Sequence, residues 1–478
     1  MPSILAALLV LLLGLYADRT HAAPQEITGQ VASGAWYRIA VPEGWQAGDA
    51  IVLYQHGFDL NPPEGPPDLG PLKDLALSEG YAVAASSFRT RGWALFHAID
   101  DNRDLLEVFA QRFGAPGHML PFGGSMGGLI ALRLAEAEGF PPVPGVFTMC
   151  PAAAGARLWD TAIDLRLAYA TVCQDAGELA HGQAPLWWTF DLDAIPDNLG
   201  DLSNLAGVID NAVVIQTLAQ VNRCTGINLP PSVRNQAMQR RLGQLMDFIH
   251  VSDEKFFLTN LGYSTFVLAD LVRAPDKLAG RNPFMTAGVD YRDDAQIDAG
   301  IERMLADPGA WQALHAASDF GGRIGNAKVI SLHTSRDQLV IPGNQDYISA
   351  VVPEAQRTLA IVAEDAPTHC GFNLAEGVAG WEALRAWMGG APQPRVSDLQ
   401  TLCTSLLAQA PDAGPCRFDP DAQVLPFDAT VRPRAVAPLR PFGHSRHLQA
   451  PPSSGASRHL FPAGEGKSRP RLSADQDP

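Results

Sequence analysis

The chain has 478 residues, of which 46% are hydrophobic and 18% charged, with a formal net charge of -16. That length exceeds what one hydrophobic core usually covers, so a main domain plus a further structural unit is expected in a chain of globular composition. The acidic balance, with no basic stripe before the C-terminal tail, argues against non-specific nucleic-acid binding, which needs basic patches to neutralise phosphate.

Residues Ile4 to Tyr16 form an apolar run too short to span a bilayer comfortably. Polar residues Ala17-Asp18-Arg19-Thr20 follow, and then His21-Ala22-Ala23. This predicts a secretory signal peptide over 1–22 with small residues Thr20 and Ala22 before the cut, although its start lacks Lys and Arg. No later segment is apolar for long enough to cross a membrane, so no stable span is expected after cleavage. A secreted or periplasmic chain meets an oxidising compartment, so the six cysteines are read as disulfide partners. Cys403 with Cys416 would close a short loop, and Cys173 with Cys224 would tie one segment to itself. No C-x-x-C, no Cys/His cluster and no H-E-x-x-H occurs, so neither a dedicated metal site nor a cofactor is expected.

In the mature chain, Trp36 to Pro42 alternates in the manner of an early edge strand. Ile51-Val52-Leu53-Tyr54 is a continuous apolar run of the kind buried on both faces of a parallel sheet. A helical stretch near Leu72 to Leu77 leads to the run Tyr81 to Ala85, and Asp101 to Phe113 has helical periodicity. The next strand begins at His118 and holds Pro121, which cannot donate a ladder hydrogen bond, so loosening is expected there. Val146 to Cys150 follows the next helix. Strands alternating with helices predict a mostly parallel sheet with helices on both faces.

From 155 to 321 buried-strand runs give way to helical periodicity, as in Leu202, Leu205, Val208, Ile209, Val213 and Leu218. This reads as an inserted helical cap between core segments 23–154 and 322–392. Most of its aromatic residues, Trp159, Phe256, Phe257, Tyr263 and Phe266 among them, are expected to pack the cap's own core. Trp187 and Trp188 follow a Gly/Pro-punctuated loop and are the expected substrate-binding residues. The sheet resumes with Lys328 to His333 and Arg357 to Val362, and an amphipathic helix runs near Leu374 to Met388. A cysteine-bearing extension is read over 393–433, and the Pro-, Ser- and Arg-rich segment 434–478 is expected to be disordered.

The strand-turn-helix around Gly123-Gly124-Ser125-Met126-Gly127 carries the chemistry. Small residues flank Ser125 in the pattern G-x-S-x-G, which lets the chain reverse sharply and expose the serine oxygen at a helix N-terminus. A serine hydroxyl needs a base, and the base needs an orienting carboxylate. His369 lies just past one late strand and Asp337 just past the strand before it, on the edge where open parallel sheets place ligands. Glu364 and Asp365 are closer to His369 in sequence, but loop neighbours rarely reach the far imidazole nitrogen, so Asp337 is the preferred acid. Backbone N–H groups of Met126 and Phe58 are the expected oxyanion donors. His56 is read as a brace for the loop that carries Phe58.

From Trp36 to about Met388, these residues resemble the α/β-hydrolase superfamily. The serine elbow, the His56-Gly57-Phe58 turn, Asp337 before Val340-Ile341-Pro342, and His369 match in order. The resemblance implies an α/β-hydrolase sheet with an inserted cap, and carboxylic-ester hydrolysis through an acyl-enzyme. The implied partner is a small-molecule ester, of small to medium apolar or aromatic kind. A second reading is an aminopeptidase of proline-iminopeptidase-like type, in which Asp160, Asp164, Glu178 or Asp191 would receive a substrate amine. A non-catalytic binding protein is the third.

Overall fold

The computed structural model describes residues 23–176, 191–192, 212–291, 294–408 and 410–431. Its centre is a nine-stranded sheet. In chain order the strands are β1 (Gln25–Gln30), β2 (Trp36–Val41), β3 (Ala50–Gln55), β4 (Ala82–Ser86) and β5 (His118–Gly124). They continue with β6 (Gly145–Met149), β7 (Lys328–Thr334), β8 (Arg357–Val362) and β9 (Phe418–Asp419). The spatial order is β1-β2-β4-β3-β5-β6-β7-β8-β9. Strands β3 to β8 run parallel, β2 runs against both its neighbours, and β9 runs against β8.

The apolar runs exist because this sheet is covered on both sides. Ile51, Leu53, Ala82, Ala84, Met119 and Val146 face one core with helices Ala98–Phe113 and Met126–Glu136. The alternate residues Val52, Val83, Ala85, Leu120 and Leu332 face a second core with helices Lys73–Ser78 and Leu374–Met388. That last helix begins at a capping box, with Asn373 and Glu376 each accepting from the other's backbone N–H.

Two expectations change. The strand Trp36–Val41 is not an edge, because β1 pairs along its outer side from Gln25↔Val41 to Gln30↔Trp36. Strand β1 is polar and mostly exposed, so it offers no apolar run to read. Pro121 does not loosen the strand on the β3 side, where pairing runs through Leu53↔Pro121. Its missing N–H faces β6, like the Met119 N–H that bonds the Pro142 carbonyl, and β6 pairing starts only at Phe122.

Between β6 and β7 the described residues hold helices and no strand, from Ala156–Cys173 through Gln236–Phe248 and Glu254–Gly262 to Pro308–Ser318. Phe257 and Phe266 are buried, and Tyr263–Val267 forms a π-turn between two helical segments. Trp187 and Trp188 lie outside the described residues, as do segments 1–22 and 434–478. The extension after Met388 adds helix Val396–Leu407, strand β9 and the short helix Phe427–Thr430. Both disulfides expected from spacing, Cys173–Cys224 and Cys403–Cys416, are formed, and a third joins Cys150 to Cys370.

The insertion is fastened to the loop after β4 by charged groups. Lys277 Nζ donates to Asp270 at 2.5 Å and to the Arg91 carbonyl at 2.9 Å, and both charged side chains are nearly buried. Beside them His97 Nε2 meets Asp276 at 3.5 Å. The hydrogen bond that His97 donates to the Asp276 carboxylate raises the His97 pKa above its ordinary 6.5, and the same bond depresses the Asp276 carboxyl. A raised histidine pKa stabilises the fold below its unfolded value and loses that contribution as pH rises through the folded one; the depressed carboxyl loses its contribution only at strongly acid pH. His97→Ala is therefore expected to lower the melting temperature at about pH 5.5 and to have a smaller effect at about pH 9. Thermal unfolding at the two pH values checks this, and equal losses would contradict it.

Candidate active site

Ser125 stands at the turn between β5 and helix Met126–Glu136, with φ 55° and ψ -125°. A non-glycine residue adopts this region only when its surroundings hold it there. The Ser125 N–H donates to the Met149 carbonyl at 3.0 Å, while its own carbonyl accepts from Gly128 at 3.1 Å and Ala152 at 3.1 Å. The flanking glycines are required by close approach. A Cβ on Gly127 would collide with the carbonyl oxygens of Gln55 and His56, the latter at 2.6 Å. One on Gly123 would lie 2.5 Å from the Gly127 backbone.

His369 and Asp337 meet this serine. His369 Nε2 lies 2.9 Å from Ser125 Oγ, and His369 Nδ1 lies 2.8 Å from Asp337 Oδ2. An Nδ1–H donating to the carboxylate leaves Nε2 free to accept the serine hydroxyl. Asp337 is buried, and its other oxygen accepts from the backbone N–H groups of Leu339 and Val340 at 3.0 Å each. Burial works against its ionisation, but the charge and hydrogen bond of His369, with His333 and the Leu339 N–H, hold its carboxyl below the ordinary value. Of the nearer acids, Glu364 is occupied elsewhere, accepting from Thr368 and from the Arg336 N–H.

The loop after β3 reaches the serine closely enough that a Cβ on Gly57 would lie 3.9 Å from Ser125 Cβ. Phe58 and Met126 stand with Ser125 in the wall of one cavity. His56 donates from Nδ1 to the Gly57 carbonyl at 2.8 Å and packs its ring 4.5 Å from that of Phe88. Burial lowers its pKa, which keeps it neutral as a brace.

The cavity holds about 100 Å³. Its wall combines Trp93 from the loop after β4, Trp159 and Leu165 from the first insertion helix, Tyr263 at the π-turn, and Leu339 and Val340 beside Asp337. Trp93 and Trp159 meet edge to face at 5.2 Å, and Phe58 lies 5.1 Å from Tyr263. Among the described residues of this wall none is a carboxylate, lysine, arginine or histidine. The sequence placed Trp159 and Tyr263 in the cap's core, because residues at helical spacing read alike whether they face a core or a cavity. Trp93 carried no signal at all.

The His369 loop is held from the extension as well as from the core. Cys370 is bonded to Cys150, the residue just after β6. Arg417 donates to the Gly371 carbonyl at 2.7 Å and to both oxygens of the buried Glu376, at 3.0 and 2.9 Å. Removing the cation leaves a buried carboxylate without its partner, which costs about 3 kcal/mol. Arg417→Met is therefore expected to lower stability by about that amount, and Arg417→Lys by less. Denaturant unfolding of the two variants measures this, and equal stability of wild type and Arg417→Met would refute it.

No protein-family model matches the chain. An o-phthalyl amidase from Xanthobacter agilis is 30% identical over 120 residues, which is 24% of this chain. The chain spans only 25% of the length of that relative. Among solved structures, a bacterial membrane phospholipase A is similar over 81% of this chain and 92% of its own, with 12% identity and a TM-score of 0.32. An esterase from Pyrococcus furiosus is similar over 73% of this chain and 83% of its own, with 12% identity and a TM-score of 0.32. An α/β-hydrolase fold protein from Nakamurella multipartita is similar over 77% of this chain and all of its own, with 14% identity and a TM-score of 0.30. With β2 reversed, β4 crossing to pair between β2 and β3, parallel strands onward to β8, and a serine on the sharp turn after β5, this chain has the α/β-hydrolase fold.

Proposed function

We propose that the chain is a secreted or periplasmic serine hydrolase that cleaves carboxylic esters, with small to medium apolar or aromatic groups on the acyl side. The observation that carries this reading is His369, whose two ring nitrogens lie 2.9 Å from Ser125 Oγ and 2.8 Å from Asp337. In the reaction, Ser125 Oγ gives its proton to His369 Nε2 and attacks the ester carbonyl. The oxyanion accepts from the N–H groups of Met126 and Phe58. The imidazolium, steadied by Asp337, returns the proton to the leaving alkoxide, and the acyl group stays on Ser125. Water then gives a proton to His369 and attacks the acyl-enzyme, and as the acid leaves, the imidazolium returns that proton to Ser125 Oγ.

The neutral, largely apolar wall supports an uncharged substrate group, since burial of apolar surface contributes about 25 cal/mol per Å² and an unpaired charge there is costly. The three disulfides fit an oxidising compartment, and among the described residues no helix is long and apolar enough to cross a membrane. The match to an o-phthalyl amidase supports a second reading, in which the same residues cleave an amide. The aminopeptidase reading gains nothing from the cavity. Asp164 accepts from the Tyr291 hydroxyl at 2.6 Å, and neither it, Asp160 nor Asp191 belongs to the cavity wall, while Glu178 lies outside the described residues.

Ser125→Ala is expected to abolish turnover of short aryl esters with the melting temperature retained, because the turn rests on its glycines and not on the hydroxyl. Asp337→Asn is expected to lower kcat by about 10⁴-fold through loss of the imidazole's tautomer and charge support, and Asp365→Asn to change it little. Steady-state assays on an ester series and its matching amides check all three. Full activity in folded Ser125→Ala would sink the assignment.

A further inference from the structure

We propose that the C-terminal extension sets the size of the substrate group this site accepts, with Thr430 and Val431 as the specificity-determining residues. The inference rests on the serine-hydrolase reading above and deepens it. These residues follow Ser125 by some three hundred positions in the chain and lie beyond the last helix of the sheet, yet both stand in the cavity wall with Ser125, Leu158, Val340 and Ile341.

The wall is anchored on two sides. The Phe427 N–H donates to Asp346 Oδ2 at 3.0 Å, which ties the short helix Phe427–Thr430 to the core helix Asn344–Val351. Arg157 of the first insertion helix pairs with Asp428 at 2.8 Å and lays its guanidinium 5.1 Å from the centre of the Phe427 ring. Phe427 and Val431 are 3% and 4% exposed and share a small apolar cluster with Ala154, against which Leu158, Ile341 and Tyr347 pack. The Val431 N–H closes the last turn onto the Phe427 carbonyl at 2.9 Å. Core and insertion thus both hold the segment that delivers Val431.

A β-branched side chain fixed at both its backbone and its packing neighbours is a stiff limit, because its χ1 has few alternatives. The cavity it closes, about 100 Å³, is small, so one or two carbons at this wall change which acyl group fits. A methylene gained or lost in an apolar pocket changes discrimination by about tenfold or more. The extension therefore acts on substrate choice without touching the reacting atoms.

The experiment uses the full mature chain and the variants Val431→Ala, Val431→Phe and Thr430→Ala, with kcat/KM measured for p-nitrophenyl esters from acetate to decanoate. Val431→Ala is expected to raise the ratio of long-chain to short-chain kcat/KM by about tenfold, and Val431→Phe to lower it by a similar factor. Thr430→Ala also opens the wall and is expected to raise the same ratio, by a smaller factor. Equal losses on every ester, or an unmoved ratio in folded Val431→Ala, would overturn the proposal; thermal unfolding reports folding, and Val431→Ala suffices if Val431→Phe fails to fold. The two readings are separated by labelling wild type with ethyl and octyl fluorophosphonates and locating the adduct by mass spectrometry. No adduct at Ser125 overturns the hydrolase reading and this inference with it. An adduct at Ser125, with an octyl-to-ethyl rate ratio that Val431→Ala does not change, overturns the inference alone.

Discussion

The site depends on one close approach of backbones. Helix Met126–Glu136 comes so near to the end of β3 that Gly127 has no room for a side chain between itself and the carbonyl groups of Gln55 and His56. This contact holds two things at once. It forces the chain to reverse at Ser125 with a positive φ, and it brings the loop carrying Phe58 beside the serine. Because the approach is between backbones, the geometry is stiff and insensitive to the chemistry of the serine itself. The reciprocal amide pair of Gln55 and Asn102, at 2.8 and 2.9 Å, buries the polar end of β3 without leaving either amide unbonded.

What was legible in the sequence was what short stretches encode. The G-x-S-x-G turn, the apolar runs of β3 and β7, and an acid and a histidine each just past a strand end are local patterns, and the fold brings those three side chains together. Features assembled from distant stretches left no such trace. Trp93 lies in an irregular loop, and Arg417 and Val431 come from an extension whose only readable marks were two cysteines. The partner of Cys150 was equally hidden, because Cys370 approaches it only through the crossing from β6 to the loop after β8. Trp187 and Trp188, read as substrate-facing from their loop, lie outside the described residues, while Trp159 within a helix stands in the cavity wall. Periodicity identifies the buried face of a helix and does not distinguish a core from a cavity.

Charge is used sparingly around the histidine. Asp337 has no contact with solvent, and its carboxylate is satisfied by backbone N–H groups and the imidazole, so its ionised form is held without a lysine or arginine. His333, fully buried nearby, has its pKa lowered by burial. One arginine that acts on this loop, Arg417, grips the Gly371 carbonyl and a buried glutamate. A cation next to Asp337 would compete for the oxygen that orients His369; one step removed, it holds the backbone and leaves that oxygen to the imidazole.

The bond between Cys150 and Cys370 closes a covalent ring that contains the whole helical insertion, with a separation of 220 residues, and the Cys173–Cys224 ring lies within it. A protease that cuts any single peptide bond in that insertion therefore produces no separable fragment. The strand bearing the serine and the loop bearing the histidine stay in one molecule, linked through sulfur. In surroundings rich in peptidases, such a chain tolerates a nick in its longest excursion from the sheet, and only a cut combined with reduction parts its two halves.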